Sequence, residues 1–451
     1  MSSECIFDVA VIGAGASGTL VARQFSRKAQ PGARLVLIGS GSRPARGVAY
    51  ETPYLANLLN VPAGNMSAFP DDPAHFVHWL AQRLPGADAA TFAPRSIYGE
   101  YLAGILDETL KSETVSLVDS TAISLTYHDG VWSVALQSGA TIEARSVVLA
   151  IGNALTPAPV LDTSRIAPLY RGNPWGLDAI QGLSRMGVVL LIGTGLTTVD
   201  VALSLRESGH EGPINAVSRH GRFYRNHAAY TPHPLAELPA EFRTPRGAVR
   251  WTRAAIRQLH DRGGNWRAVI DSLRPYTVQT WRSWSVPQRA SFLRHTRNIW
   301  DTHRHRMAPE IATQLKQLLA DGILTIHAGR LLSAEMAGDS ARITIRSTHT
   351  GDVFTVDAER VINCTGPARN YGSTDIPLIA SMRTQGWLTP DRLRLGIETD
   401  RDGRLISSDG TVNKTLFTIG PLRIPELFES IAMPEIRVQA YELAQLLVTD
   451  Q

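Results

Sequence analysis

A strand, a glycine turn and a helix occur twice in this chain, and that repetition limits the possible folds more than any other feature. The first copy reads FDVAVIGAGASG, where an apolar run from Phe7 to Ile12 meets Gly13, Gly15 and Gly18. The second reads GVVLLIGTGLTTVD, with Gly193 and Gly195. A pyrophosphate can lie on a helix N-terminus only where the preceding turn has no side chains in the way, so that backbone N–H groups reach the anion. Both copies have the context this requires. A buried-type strand leads in, and a helix leads out: Ala16 to Ala29 with Leu20, Val21 and Phe25 inward, and Leu196 to Glu207 with Val199, Ala202 and Leu203 inward. Ala16, Ser17, Leu196 and Thr197 open these helices and join the glycines as nucleotide-contact candidates. Thr198 replaces the third small residue in the second copy. Two such units predict two dinucleotide sites in one chain, with electrons passing between them.

The residue at the end of the next strand selects the nucleotide, an acid suiting a ribose hydroxyl and an Arg a 2′-phosphate. In the second unit INAVSRHGR ends its strand at Ser218 and Arg219, with His220 and Arg222 beyond, a pattern that favours NADPH over NADH. The same offset in the first unit lands on Gly39, in LVLIGSGS, which offers no carboxylate. Ser40, Ser42 or main chain must then serve the first ribose.

With 451 residues, 43% of them hydrophobic, the chain can bury one large core or two linked ones. Its net charge is only +4, and no basic stripe with interleaved aromatics marks a nucleic-acid surface. The early first strand leaves no room for a signal peptide, and no apolar run approaches the ~20 residues that cross a membrane. A cytoplasmic location and no membrane partner are expected; a homo-oligomer stays open. Cys5 and Cys364 cannot form a CxxC pair, which excludes disulfide reductases of that type. His303 and His305 point to different faces of a helix, so no metal site is expected.

Further segments carry a resemblance. RGVAYET (Arg46 to Thr52), LLNVPAGNMSAFPDDPAHFVHWL (Leu58 to Leu80), VVLAIGNALTP, VINCTGPARN and TLFTIGPLRIPELFESIAMPEIRVQA together resemble the FAD/NAD(P)-binding flavoproteins related to amine and amino-acid N-hydroxylating flavin monooxygenases. The resemblance runs nearly end to end. It implies an α/β fold of two Rossmann-like dinucleotide-binding domains. The FAD domain is discontinuous (1–160 and 351–451), and the NADPH domain (161–350) is inserted in it, with a helical insertion at about 245–320. It also implies FAD and NADPH as cofactors, with Arg46, Gly47 and Tyr50 in a cofactor-facing segment and Gly152 and Gly366 at crossings between the domains.

Read physically, LLNVPAGNMSAFP is too rich in Pro and Gly for regular structure and suits a loop packed on an isoalloxazine ring. Asn60 and Met66 to Phe69 are the flavin-face candidates, and Asn60, Met66 and Ser67 the expected catalytic positions; a buried loop serving only the core is the alternative. LFTIG reaches Gly420, from which a backbone contact to the ribityl chain is expected; Pro421 stands where many relatives carry an Asp. Pro434 suits the first position of a helix running to about Leu447, whose positive end would face reduced flavin.

Five of the nine tryptophans lie between Trp251 and Trp300, and Pro287 to Leu319 reads as a long basic helix with Arg289, Arg294, Arg297, Arg304 and Arg306. This region is either a pocket for an acidic substrate or the NADPH phosphates, or an amphipathic helix with a solvated basic face. LYRGNPWGL lacks the His of the flavin-containing monooxygenase signature, which argues against sulfoxidation and Baeyer–Villiger chemistry. What the resemblance implies instead is an NADPH-dependent monooxygenase that forms a flavin C4a-hydroperoxide and uses O2 to N-hydroxylate an amine or amino acid. A flavoprotein reductase with a non-oxygen acceptor is the alternative.

Overall fold

The computed structural model describes residues 6–41, 43–154 and 161–449; Cys5 and Ser42 lie outside them. Two sheets form the framework, each built around a strand that leads into a glycine turn. In the first, Phe7–Ile12 lies parallel between Leu35–Ile38 and Thr141–Leu149. Val115–Val118 extends the sheet beyond Leu35–Ile38, and Val412–Thr418 pairs with Thr141–Leu149 on the other side. C-terminal residues thus complete a sheet begun at the N-terminus. The run FDVAVI is apolar because both faces are covered: Val9 and Val11 enter one core, Ala10 and Ile12 the other.

The second sheet repeats this plan. Val189–Ile192 lies parallel between Ile214–Ser218 and Arg360–Asn363. Leu324–Ala337, Ser340–Ser347 and Val353–Ala358 extend one edge, and Tyr170–Arg171 closes the other. Strands Val353–Ala358 and Arg360–Asn363 carry this sheet past the expected boundary at residue 350. The mixed α/β architecture is that of two dinucleotide-binding units, the first of them discontinuous.

Between Ile214–Ser218 and Leu324–Ala337 the chain makes a helical excursion that starts at helix Pro245–His260. Thr244 caps that helix, its hydroxyl accepting from the Gly247 N–H, with Pro245 at the first helical position. The expected long helix over Pro287 to Leu319 is instead three: Val286–His295, Arg297–Arg304 and Pro309–Ala320. The break at Thr296 turns the second away from the first, and Pro309 can only start a new helix. Trp281, Trp284 and Phe292 form a core with Leu395 and Ile424, so the excursion is clamped onto C-terminal residues. No helix among the described residues is long and apolar enough to cross a membrane.

Candidate functional site

The two glycine turns are near copies in atomic detail. In the first, the Gly13 N–H donates to Ile38 O at 2.7 Å; in the second, the Gly193 N–H donates to Val217 O at 2.7 Å. Both residues lie in the left-handed region, at φ +114° and +122°. Each presses against the end of the neighbouring strand: a Cβ on Gly13 would meet Ala150 O at 2.3 Å, and one on Gly193 would meet Cys364 O at 2.6 Å. Gly18 lets the first helix pack on its own turn, since a Cβ there would lie 1.9 Å from Gly13 O. Helices Ala16–Lys28 and Leu196–Glu207 begin at Gly15 and Gly195 without a side-chain cap and without an acid in the first turn. Their first N–H groups therefore suit an anion, and the residues present fit the pyrophosphate of a dinucleotide at each turn. Gly39 has a steric cause: a Cβ there would meet the Ala14 Cβ at 2.5 Å, so no acid can stand at that position.

Around the first turn, Gly47, at φ +58°, faces Gly15, where a Cβ on either would lie 3.6 Å from the Cα of the other, and a Cβ on Gly99 would meet the Arg46 stem at 3.3 Å. Tyr50 meets the Tyr98 ring edge-on at 4.8 Å. Ser40 is exposed, its hydroxyl accepting from Thr121 Oγ1 at 2.8 Å. Around the second turn, the Ser218 hydroxyl is used within the protein, bonded to Thr194 Oγ1 at 2.8 Å and accepting from the Gly221 N–H at 3.1 Å; it braces the turn. Arg219 is exposed, and its guanidinium has no ion pair among the described residues. His220 is held below its ordinary value by partial burial and by Arg222 and Arg219, which marks this strand end as a positive region.

The strand-to-loop crossings lie side by side. Ala154 bridges Ala368 in antiparallel fashion, with Gly152 and Gly366 close before them in the chain at φ +67° and +90°. The side chains that lock the two units together were not anticipated from sequence. Asp200, Ser204 and Glu207 share one face of the second nucleotide helix. Glu207 accepts the Leu55 and Ala56 N–H groups at 3.0 and 2.8 Å. Ser204 exchanges two hydrogen bonds with buried Asn57, at 2.8 and 3.0 Å. Asp200, only 6% exposed, pairs with Arg95 at 3.2 Å; burial outweighs that pair and raises its carboxyl to about 6. Asp200 is the one acid in the apolar stretch VDVALSL, the signal that could have flagged this contact.

Three expectations need correction. Met66 is 2% and Ser67 0% exposed, so neither has surface to offer a cofactor or substrate. The Ser67 hydroxyl donates to Asp72 O at 2.6 Å and Met66 O accepts from Tyr98 Oη at 2.9 Å; both residues hold the core, because the loop folds back under helix Arg95–Leu110. Gly420 does not present free backbone either. Its N–H donates to Gln439 Oε1 at 3.0 Å and its C=O accepts from Ser430 Oγ at 2.8 Å, which ties it to helix Met433–Thr449. Asn60 differs: it is half-buried at the junction of the units, its C=O accepting from His227 Nε2 at 3.0 Å. Helix Met433–Thr449 opens one residue before the expected start, so Pro434 stands second in it rather than first.

No curated protein matches the chain. Residues 10–154 match the model of a family described as FAD-NAD(P)-binding. Among solved structures, ornithine N-hydroxylase from Kutzneria sp. 744 superposes with a TM-score of 0.69 at 14% identity, over 99% of this chain and 100% of that one. L-lysine 6-monooxygenase from Pseudomonas syringae gives 0.67 at 16%, over 98% and 99%. Thioredoxin reductase from Lactococcus lactis gives 0.56 at 12%, over 99% and 100%. At these identities the likeness is one of fold.

The matched stretch contains the first glycine turn, Arg46 to Tyr50, Asn60 and the interface residues Asn57 and Arg95. Beyond it, Cys364 is buried between that interface and the second turn, and burial pushes its thiol far above the ordinary range, into an unreactive form.

Proposed function

We propose that this chain is an FAD- and NADPH-dependent monooxygenase that N-hydroxylates the amine of an amino acid or a similar small molecule. The observation that carries the reading is the pairing of two uncapped glycine turns across one buried interface. The overall likeness to the ornithine and lysine enzymes supports it. FAD, when bound, supplies acceptance of hydride from NADPH and activation of O2.

The chain's own residues bind, orient and exclude water. Gly13, Gly15, Ala16, Ser17 and Gly18 would hold the FAD pyrophosphate, with Arg46, Gly47, Tyr50 and Asn60 lining its flavin side. Gly193, Gly195, Leu196 and Thr197 would hold the NADPH pyrophosphate, and Arg219 the 2′-phosphate, as a charge-assisted partner. The Asn57–Ser204 bonds and the Arg95–Asp200 pair hold the two units in one relative position, which hydride passage between two rings requires. No side-chain nucleophile is needed.

The test is NADPH oxidation by the purified protein in air, with a panel of amino acids and diamines and mass analysis of the products. One amine should speed NADPH oxidation and be recovered heavier by one oxygen. Turnover that needs a quinone and leaves every amine unchanged would replace this reading with that of a reductase.

A further inference from the structure

The helical excursion encloses a cavity of about 200 Å³, walled by helix Pro245–His260 and by Trp281, Trp284, Phe292 and Trp300, with Phe428 against it. It shares no wall residue with either glycine turn. Every indole N–H on its wall is already used: Trp281 Nε1 donates to Pro425 O at 2.8 Å, Trp284 Nε1 to Phe242 O at 2.8 Å, and Trp300 Nε1 to Glu429 Oε1 at 3.1 Å. What these rings offer the cavity is apolar surface alone. Phe428 reinforces it from the C-terminal segment. It sits at φ +60°, a conformation rare for a bulky side chain, with its ring stacked on Trp281 at 4.7 Å and edge-on to Phe292 at 5.4 Å. A dry apolar cavity of about 150 Å³ already accepts benzene, so this one takes a single ring or a short alkyl chain.

The rim is of opposite character. Between Arg243 and Arg306 the sequence has 14 Arg, no Lys, no Glu and only 3 Asp. The inner arginines are spent on the fold. Arg306 makes two bonds to Asp271, Arg304 pairs with Glu429, and Arg289 bonds the carbonyls of Trp281 and Trp284. The outer ones are not. Arg246, Arg250, Arg253 and Arg257 form an exposed row along helix Pro245–His260, and none has an ion pair among the described residues. Arg253 is the one of the four that lines the cavity.

We propose that this cavity binds an amphipathic carboxylate, its ring or alkyl body among the tryptophans and its carboxylate on Arg253. Helix Pro245–His260 presents both halves of the site, Ala248, Val249, Thr252 and Ile256 to the cavity and Arg253 to the rim. A cation is required because a carboxylate left unpaired at an apolar mouth would lose its hydration for nothing, whereas a guanidinium accepts it in a two-pronged hydrogen bond.

Phenylacetate and octanoate, titrated into the purified full chain, serve as probes, with tryptophan fluorescence as readout; phenylacetamide and octanamide are the uncharged controls. Saturable quenching by the acids is expected, with at least about tenfold weaker binding of the amides. Arg253→Ala should remove the preference for the acids and leave amide binding as it was. Ala248→Phe, which fills the cavity, should weaken all four, and Arg253→Lys should restore part of the preference. Acids and amides binding alike, no saturable quenching by either acid, or an unchanged preference in Arg253→Ala would overturn the proposal. Arg253 is exposed, so its variants test the ligand without testing the fold.

Discussion

Replacing Asp200 by Asn tests whether a buried carboxylate sits between the two nucleotide units. Burial raises its carboxyl from an ordinary 3.8 to about 6, despite the Arg95 guanidinium at 3.2 Å. The folded protein therefore holds this proton more tightly than the unfolded chain. As pH rises from about 4 to about 6, the unfolded chain loses the proton first, and stability falls; above about 6 both states are ionised and the loss is complete. At about 1.4 kcal/mol per pH unit, that displacement amounts to about 3 kcal/mol. Unfolding entropy of ~2.1 cal/mol/K per residue makes 1 kcal/mol worth about 1 °C in a chain of 451 residues, so the expected effect is about 3 °C. Asn has nearly the same shape and no charge to lose. About a third of that effect is already lost at pH 4.5, so the Tm of Asp200→Asn minus that of the unaltered protein should climb by about 2 °C between pH 4.5 and 7.5 in differential scanning calorimetry, other titrating groups cancelling in the difference. A flat or falling difference would show that burial does not raise the Asp200 carboxyl against the Arg95 guanidinium, and would refute the reasoning.

Two further perturbations address the glycine turns and the strand end. Gly13→Ala and Gly193→Ala both force a Cβ to within 3 Å of a carbonyl oxygen at positive φ, at a cost of about 1–3 kcal/mol in backbone strain alone. The first should be purified without flavin colour, while the second should keep the colour and lose reduction by NADPH. Colour retained in Gly13→Ala would remove the first turn from the FAD site. Arg219→Ala should lower the NADPH-over-NADH ratio of kcat/KM by about tenfold or more, and an unchanged ratio would show that the 2′-phosphate is held elsewhere.

How much of this was legible in the sequence depends on the range of the interaction concerned. Phe7–Ile12 and Leu196–Glu207 lie where the apolar runs and glycines predict them, because a strand buried on both faces and a helix opened by glycine are set by neighbours a few residues away. Gly13 and Gly193 belong to the same class, since positive φ demands glycine locally. Met66 and Ser67 do not. Their loop has the composition of a ligand-facing segment, and only its folding beneath Tyr98 and Tyr101 turned those side chains inward. The basic stretch from Pro287 to Leu319 likewise hid two populations of arginine, and which of them are spent on Asp271, Glu429 and main-chain carbonyls is a matter of three-dimensional neighbours.

By itself, then, the sequence determined that this chain has two nucleotide units, their order, and the strand end where a positive charge stands. Tertiary structure decided how the units meet. Asn57 with Ser204, and Arg95 with Asp200, join positions more than a hundred residues apart. Asp200 stands out as a lone acid in an apolar stretch, but no local pattern names the partner of any of the four, because the free energy of a buried polar pair comes from the partner that folding brings to it and from the water it excludes.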